Sequence, residues 1–314
     1  MRSNSGLILL VAVLAPVLGG DATLRYHTDI QTASGVPGMT PEALDGALGG
    51  MREMVVHIKG NKAYSVQGNL TSIVDLTTQD MTLMDVAHKH FATVPAGQYA
   101  QQVKGAIPAI PDQARAALAS MKTNLESRST GRTAAIQGVQ SEEHEFVLTM
   151  DMALPGGPPA TGPLMKLVMQ VWTAKPEETQ RLPALQEFRN YTASASSSLN
   201  PVDMIKQILG GFPGVGDSLG SMIGEISNQR AMMMRMHAEL FMPILAAISK
   251  QGGPLPPGFD PAAPLMQMTQ EVAELSTDPL DDAAFQVPAD YQAVSLEEVL
   301  RGAMPAPAAP KPQQ

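Results

Sequence analysis

From Glu143 to Met152 the chain alternates strictly. His144, Phe146, Leu148, Met150 and Met152 fall on one parity, and Glu143, Glu145, Val147, Thr149 and Asp151 on the other. A period of two with apolar residues mainly on one side predicts a half-buried strand. Such a strand belongs to an antiparallel sheet with one wet side, because a strand buried on both sides is apolar throughout. Leu164 to Thr173 alternates in the same way, with Met165, Leu167, Met169 and Val171 against Lys166, Val168, Gln170 and Trp172. The Pro/Gly connector Ala153 to Pro163 makes these two a hairpin with a long loop. Met232, Met234, Met236, Ala238, Leu240 and Met242 repeat the pattern. Met and Ala favour helices, yet the period is two, and a third strand is expected.

Earlier in the chain the strands are short. Asp21 to Thr32 reads as a first strand, followed after a loop-like stretch at Gly35 to Gly50 by Met54–Lys59, Ala63–Gln67, Thr71–Leu76, Met81–Val86 and His88–Thr93. Gly60-Asn61-Lys62 and Gly68-Asn69 are turn signals, and strands with turns every 8 to 12 residues predict an antiparallel meander. Two helical insertions interrupt the sheet, at about 96–129 and 200–228. The first includes a helix over Gln113 to Leu125, with Ala114, Leu118, Met121 and Leu125 at helical spacing. In the second, Asn200 and Pro201 start a helix, and Gly210 to Gly220 breaks it. Glu177 to Ser197 predicts a further helix with Leu182, Leu185, Phe188 and Tyr191 on one face, and Ser295 to Arg301 a short last one. The expected fold is α+β: a strongly curved antiparallel sheet, an unclosed half-barrel, with the insertions covering its concave face. A single domain over 21–302 would precede a disordered Pro/Ala tail at 303–314.

Arg2, the apolar run Gly6 to Leu18 and the small residues Gly19 and Gly20 read as a signal peptide over 1–20. The run is too short to span a bilayer, and no Cys is present to carry a lipid anchor, so a periplasmic or extracellular protein is expected. A net charge of -9 and the lack of a Lys/Arg cluster disfavour nucleic acid as a partner. Aromatic residues make up 4% while Met numbers 21, so flexible thioethers take core volume that rings usually fill.

The inventory of chemistry is short. Gly216-Asp217-Ser218-Leu219-Gly220 fits both the G-x-S-x-G elbow and the GDSL signature of an esterase family. No strand leads into Ser218, and the only later histidine is His237. His88 and His90 would share a strand face, but no third metal ligand is spaced to join them, since Asp85 reaches that face only if the strand bends at Ala87; surface or edge histidines are the better reading. His144, in the apolar register among acids, reads as a partly buried residue that hydrogen-bonds Glu143 or a backbone carbonyl rather than as a general base. No cofactor or metal site is predicted.

Several segments carry a resemblance. His57-Ile58-Lys59-Gly60-Asn61-Lys62-Ala63, Ile73-Val74-Asp75-Leu76, Leu83-Met84-Asp85 and Lys89-His90-Phe91 are followed by Thr130-Gly131, Ile136-Gln137-Gly138 and Glu143-His144-Glu145. The series ends with Phe285-Gln286-Val287-Pro288-Ala289-Asp290-Tyr291. Together they resemble an exported bacterial family of unknown function, similar to the lipoprotein-carrier (LolA-like) class. That resemblance implies an antiparallel sheet curled into an unclosed barrel with helices over its open side. It implies no binding residues, because the shared motifs are scaffold turns.

Three functional readings follow. The first is an exported, non-enzymatic carrier or chaperone for a lipid or other amphiphile, lined by Leu148, Met150, Met165, Met169, Met232, Met234 and Met236. The second is an envelope structural or protein-binding module in which the same face is a closed core. The third and most remote is an esterase at Ser218.

Overall fold

The computed structural model describes residues 20–33, 52–106, 121–152, 163–198, 202–203, 206, 215–228, 231–245, 260 and 262–303. The expected leader, the 35–50 loop, the 153–163 connector and the Pro/Ala tail lie wholly or mainly outside them, as does most of 200–214.

The short strands come first. Strand β1 (Asp21–Thr32) precedes a meander of β2 (Glu53–Lys59), β3 (Lys62–Gln67), β4 (Leu70–Asp75), β5 (Asp80–Asp85) and β6 (His90–Pro95). The turns carry their own chemistry. Gly60 (φ 57°) and Gly68 (φ 59°) each take the first central position of a two-residue hairpin and Asn the second, as a type II′ turn requires. The two four-residue loops are pinned by carboxylates instead. Asp75 Oδ1 accepts from the amide of Thr77 at 2.8 Å, and Asp85 Oδ1 from that of Ala87 at 3.0 Å.

Helix α1 (Ala96–Ala106) follows β6 directly. The chain then makes three long strands: β7 (Met121–Ile136), β8 (Val139–Met152) and β9 (Met165–Ala174). Gln137 (φ 49°) and Gly138 (φ 74°) close β7 onto β8 in a turn with both central residues left-handed. Helix α2 (Pro176–Arg181) stops at Leu182, whose extended backbone (ψ 115°) is what the following proline demands, and α3 (Pro183–Ser198) begins there. Helix α4 (Val215–Asn228), strands β10 (Met233–Phe241) and β11 (Met266–Ser276), a 3₁₀ turn (Asp282–Phe285), β12 (Gln292–Ala293) and helix α5 (Leu296–Ala303) complete the described chain.

All the strands join one sheet that does not close, in the order β12-β6-β5-β4-β3-β2-β1-β11-β10-β9-β8-β7. Every pairing is antiparallel except β12 with β6. Strand β1 lies between the two halves of the sheet, with β2 on one side and β11 on the other. Three apolar clusters form on the sheet. The central one joins Leu24, Tyr26, Ile58, Val272 and Met234 to Leu185 and Phe188 of α3. A second packs Leu83, Ala92 and Val94 against Leu296 and Val299 of α5 and Tyr99 and Val103 of α1. The third joins Phe146 and Val171 to Met222 of α4.

The segment after β11 runs across the opposite face of the meander. Lys59 Nζ donates to the carbonyl of Leu280 at 2.6 Å and lies 2.7 Å from Asp282, while Phe285 meets the edge of the Tyr64 ring.

Four local expectations need correction. The helix expected through Leu125 cannot extend beyond 120, because Met121 already pairs with Met152 in β7; tertiary pairing overrides helical spacing there. The first insertion therefore ends before 121 rather than at 129. The Gly-rich stretch expected to break the second insertion is helical from Val215 onward. In it Gly220 leaves room for Lys206, whose Cε would lie 2.9 Å from a β-carbon there. His88 belongs to a turn, not to β6, which starts at His90.

Candidate functional site

The apolar residues singled out in the sequence divide between two of the clusters. On β8 and β9, Leu148 lies opposite Leu167, Met150 opposite Met165 and Phe146 opposite Met169. Met169 in turn pairs with Ala238 of β10, and Val171 with Met236. These positions share one sheet face, since each is the cross-strand partner of the next at a spacing of two. Met169 and Met236 pack with Phe146, Val171 and three side chains of α4: Leu219, Met222 and Ile226.

Met232 and Met234 lie elsewhere, in the central cluster with Leu24, Tyr26 and Leu185. The strict period of two expected across 232–242 is interrupted by a register shift between Met233 and Arg235. That irregularity lets Met233 touch both clusters.

Burial separates the seven residues. Leu148, Met150, Met232 and Met234 are buried, whereas Met165, Met169 and Met236 are half-buried. The half-buried pair Met169 and Met236 lies under α4. Two polar contacts fasten that helix to β7: the Ser218 hydroxyl donates to Thr123 Oγ1 at 3.1 Å, and the Ser127 hydroxyl donates to Glu225 Oε1 at 2.9 Å. The side chains of α4 that face the sheet were not singled out in the sequence. Their spacing (Leu219, Met222, Ile226) is helical, but Gly216, Gly220 and Gly224 hid it.

Ser218 lies inside α4, four residues into the helix. A nucleophile elbow places its serine at a sharp turn between strand and helix. His237, on β10, has its Nδ1 2.8 Å from Thr269 Oγ1 of β11, and its Nε2 3.6 Å from Glu239.

Along β8 the buried parity changes: Val139, Ser141 and Glu143 are buried toward its start, and Phe146, Leu148 and Met150 toward its end. Glu143 is wholly inaccessible; one of its oxygens is held by Arg132 and Oε2 has no partner. His144 lies with its Nε2 3.8 Å from Glu142 and unbonded. Tyr26, in the central cluster, has its phenol pKa pushed up by burial. Tyr191 of α3 is shifted the same way, by burial first and then by the negative charge of Asp75.

The histidine pair of the meander meets Asp85, because the chain does bend at Ala87. The turn at 86–89 folds His88 back so that its Nδ1 is 2.6 Å from Asp85 Oδ2, and the His88 and His90 rings stack at 6.1 Å. Among the described residues no group of three or more His, Asp or Glu side chains is arranged to hold a metal ion, and no helix is long and apolar enough to cross a membrane.

No family model matches the chain, and no curated protein matches it in sequence.

Proposed function

We propose that this protein is an exported, non-enzymatic carrier of a lipid or other amphiphile, built as a curved half-barrel with helices over its apolar face. The observation that supports this reading is the seam between α4 and strands β8–β10. Met222, Met169, Met233 and Met236 meet there around Phe146 and Val171. Thioether side chains adapt to differently shaped apolar partners at little cost. An acyl chain entering the seam would replace Leu219, Met222 and Ile226 of α4 with contacts of the same kind, so it needs only that the helix lift. The fastening of α4 to β7 is compatible with lifting, because the neutral Ser218–Thr123 bond contributes only about 0.5–1.5 kcal/mol net and the Ser127–Glu225 bond, about 1.5–3 kcal/mol at most, is exposed and can be replaced by water.

The test uses the absence of cysteine from the chain. Ser218→Cys with Thr123→Cys introduces the only two thiols, at positions whose hydroxyl oxygens are 3.1 Å apart. Formation of the disulfide is checked first by mass spectrometry. The oxidised protein is expected to refuse a fluorescent fatty acid that the reduced protein and the parent take up. Equal uptake in both redox states would show that α4 is not the gate. A parent that takes up no probe, and that carries no lipid when purified from its native host, would sink the carrier reading.

The second reading, an envelope module with a closed core, is favoured by the burial of Leu148, Met150, Met232 and Met234. Cross-linking in cells checks it: one recurrent protein adduct supports it, and none speaks against it.

A further inference from the structure

Away from the Met-rich seam, a cleft of about 400 Å³ opens between α2, α3 and Ala231. That volume falls within the range of small-ligand sites, about 300–1,000 Å³. Small or ring-closed residues keep it open: Pro176 on α2, Ala193 on α3 and Ala231 ahead of β10. Three side chains with N–H donors face it: Gln180, Arg189 and Asn190. Among the described residues, no carboxylate lines it.

Arg189 is unusual within this chain. The sequence holds 30 acidic residues against 21 lysines and arginines, so carboxylate partners are plentiful. Arg25, Arg128, Arg132, Arg181, Arg235 and Arg301 each take one. Among the described residues, half-buried Arg189 takes none, and the side-chain amides of Gln180 and Asn190 have no partner either. A guanidinium partly withdrawn from water is stabilised by an acceptor, and its planar fork matches the two oxygens of a carboxylate or phosphate. Two primary amides beside it add neutral donors and no competing negative charge.

We infer that this cleft binds a small ligand through an oxyanion, a carboxylate or phosphate group held by Arg189 with Gln180 and Asn190. The inference does not rest on the carrier reading. The oxyanion could belong to a free metabolite or to a lipid headgroup, and the same experiment separates these sources.

The full chain is titrated with inorganic phosphate, with succinate and with a lysophosphatidic acid below its micelle concentration, at constant ionic strength, followed by calorimetry and Tm. Saturable binding of at least one probe, with a rise in Tm, is expected. Arg189→Gln should weaken it about tenfold or more while leaving the unliganded Tm unchanged, because no protein partner is lost. Asn190→Ala should weaken it less. Tighter binding of the lysolipid than of phosphate identifies a headgroup as the source, and equal or weaker binding a free anion; in both cases the dependence on Arg189 is required. Absence of binding by every probe, or equal affinity in Arg189→Gln, overturns the inference. Fatty-acid uptake into the α4 seam should be the same in Arg189→Gln as in the parent, so failure of one site is read separately from failure of the other.

Discussion

The two halves of the sheet are held together differently. In the meander the strands are six or seven residues long, and tight turns fix their register. The buried side chains between this half and α5 are branched or small (Leu83, Ala92 and Val94 against Leu296 and Val299), with Met81 and Tyr99 half-buried at their margin. In the other half, β7 and β8 run to 16 and 14 residues, and the seam at α4 holds four methionines (Met169, Met222, Met233 and Met236) among Phe146, Val171 and aliphatic side chains. Branched side chains have few rotamers and specify one packing, whereas Met has three rotatable bonds and tolerates several. One half is therefore suited to rigidity and the other to rearrangement. Under the carrier reading proposed above, the first would hold the frame and the second would admit the guest.

The strongest way to break this contrast is to truncate one residue in each half. Leu83→Ala, in the meander core, should cost about 2–5 kcal/mol of unfolding free energy. Met222→Ala, under α4, should fall at the bottom of that range, about 2 kcal/mol, because the helix can settle onto the sheet. Only the second should change the affinity for an acyl probe. Urea midpoints at unchanged m-value measure the first pair of numbers. Equal losses at the two sites would mean that the seam is as closely specified as the meander core.

Long strands also need fastening, and here a buried charge supplies it. Glu143 is inaccessible and compensated at one oxygen by Arg132, whose side chain is 56% exposed. Removing the partner of a fully buried ion costs about 3–5 kcal/mol. Solvent around Arg132 screens the pair, which lowers the expectation for Arg132→Met to about 2 kcal/mol. Adding Glu143→Gln to that variant should recover most of the loss, because the uncompensated charge is then gone. A double variant no more stable than the single one would show that β7 and β8 do not depend on the pair.

In the meander half the corresponding device is a close approach. A β-carbon on Gly302 of α5 would lie 2.2 Å from Asp85 Oδ2. That carboxylate cannot easily move, since it already accepts from two turn amides and lies against His88. Gly302→Ala should therefore displace the end of α5 and cost about 1–3 kcal/mol, as overpacking does. Hydrogen exchange should rise in α5 and β6 and stay unchanged in α4. Equal protection in α5 before and after the substitution would show that the helix is not seated on this turn.

These particulars explain what the sequence made legible. Alternation in β8, β9 and β10 was visible because apolar side chains fall mainly on one parity there, Phe146, Leu148, Met150, Met234 and Ala238 being buried among them, and the Gly-Asn pairs marked the meander turns directly. Strand β11 went unrecognised although Met266, Met268, Gln270 and Val272 alternate, because Gln270 sits in the apolar register where it meets Thr28 of β1. Without β11 the central position of β1 was invisible as well. Helix α4 was hidden by its glycines, which match the side chains of Val202 and Lys206 rather than breaking the helix. Of the site residues, those on β8 and β9 converge as alternation implies. Met232 and Met234 belong to another cluster because of a register shift that no local pattern announces.

The smallest expected effect concerns the carboxylate turns of the meander and is read as a function of pH. Burial pushes the Asp75 carboxyl up, but the Thr77 amide, the Lys62 ammonium and the Thr78 amide together outweigh it and hold the group below its ordinary value of 3.8. The unfolded chain then takes up the proton first as the solution is acidified. The stabilisation by Asp75 is complete above about pH 4 and disappears as the pH falls through the lower, folded-state value. Asp75→Asn keeps an acceptor for the turn amides but loses the attraction to Lys62, 3.1 Å away. The parent should be slightly more stable than the variant at pH 7, and the gap should close on acidification. Asp75 is shielded from solvent but Lys62 is 44% exposed, so added salt should narrow the gap at pH 7 as well. A gap constant from pH 7 to pH 3 would show that the turn depends on its hydrogen bonds alone. The meander's rigidity would then be a property of backbone geometry rather than of charge.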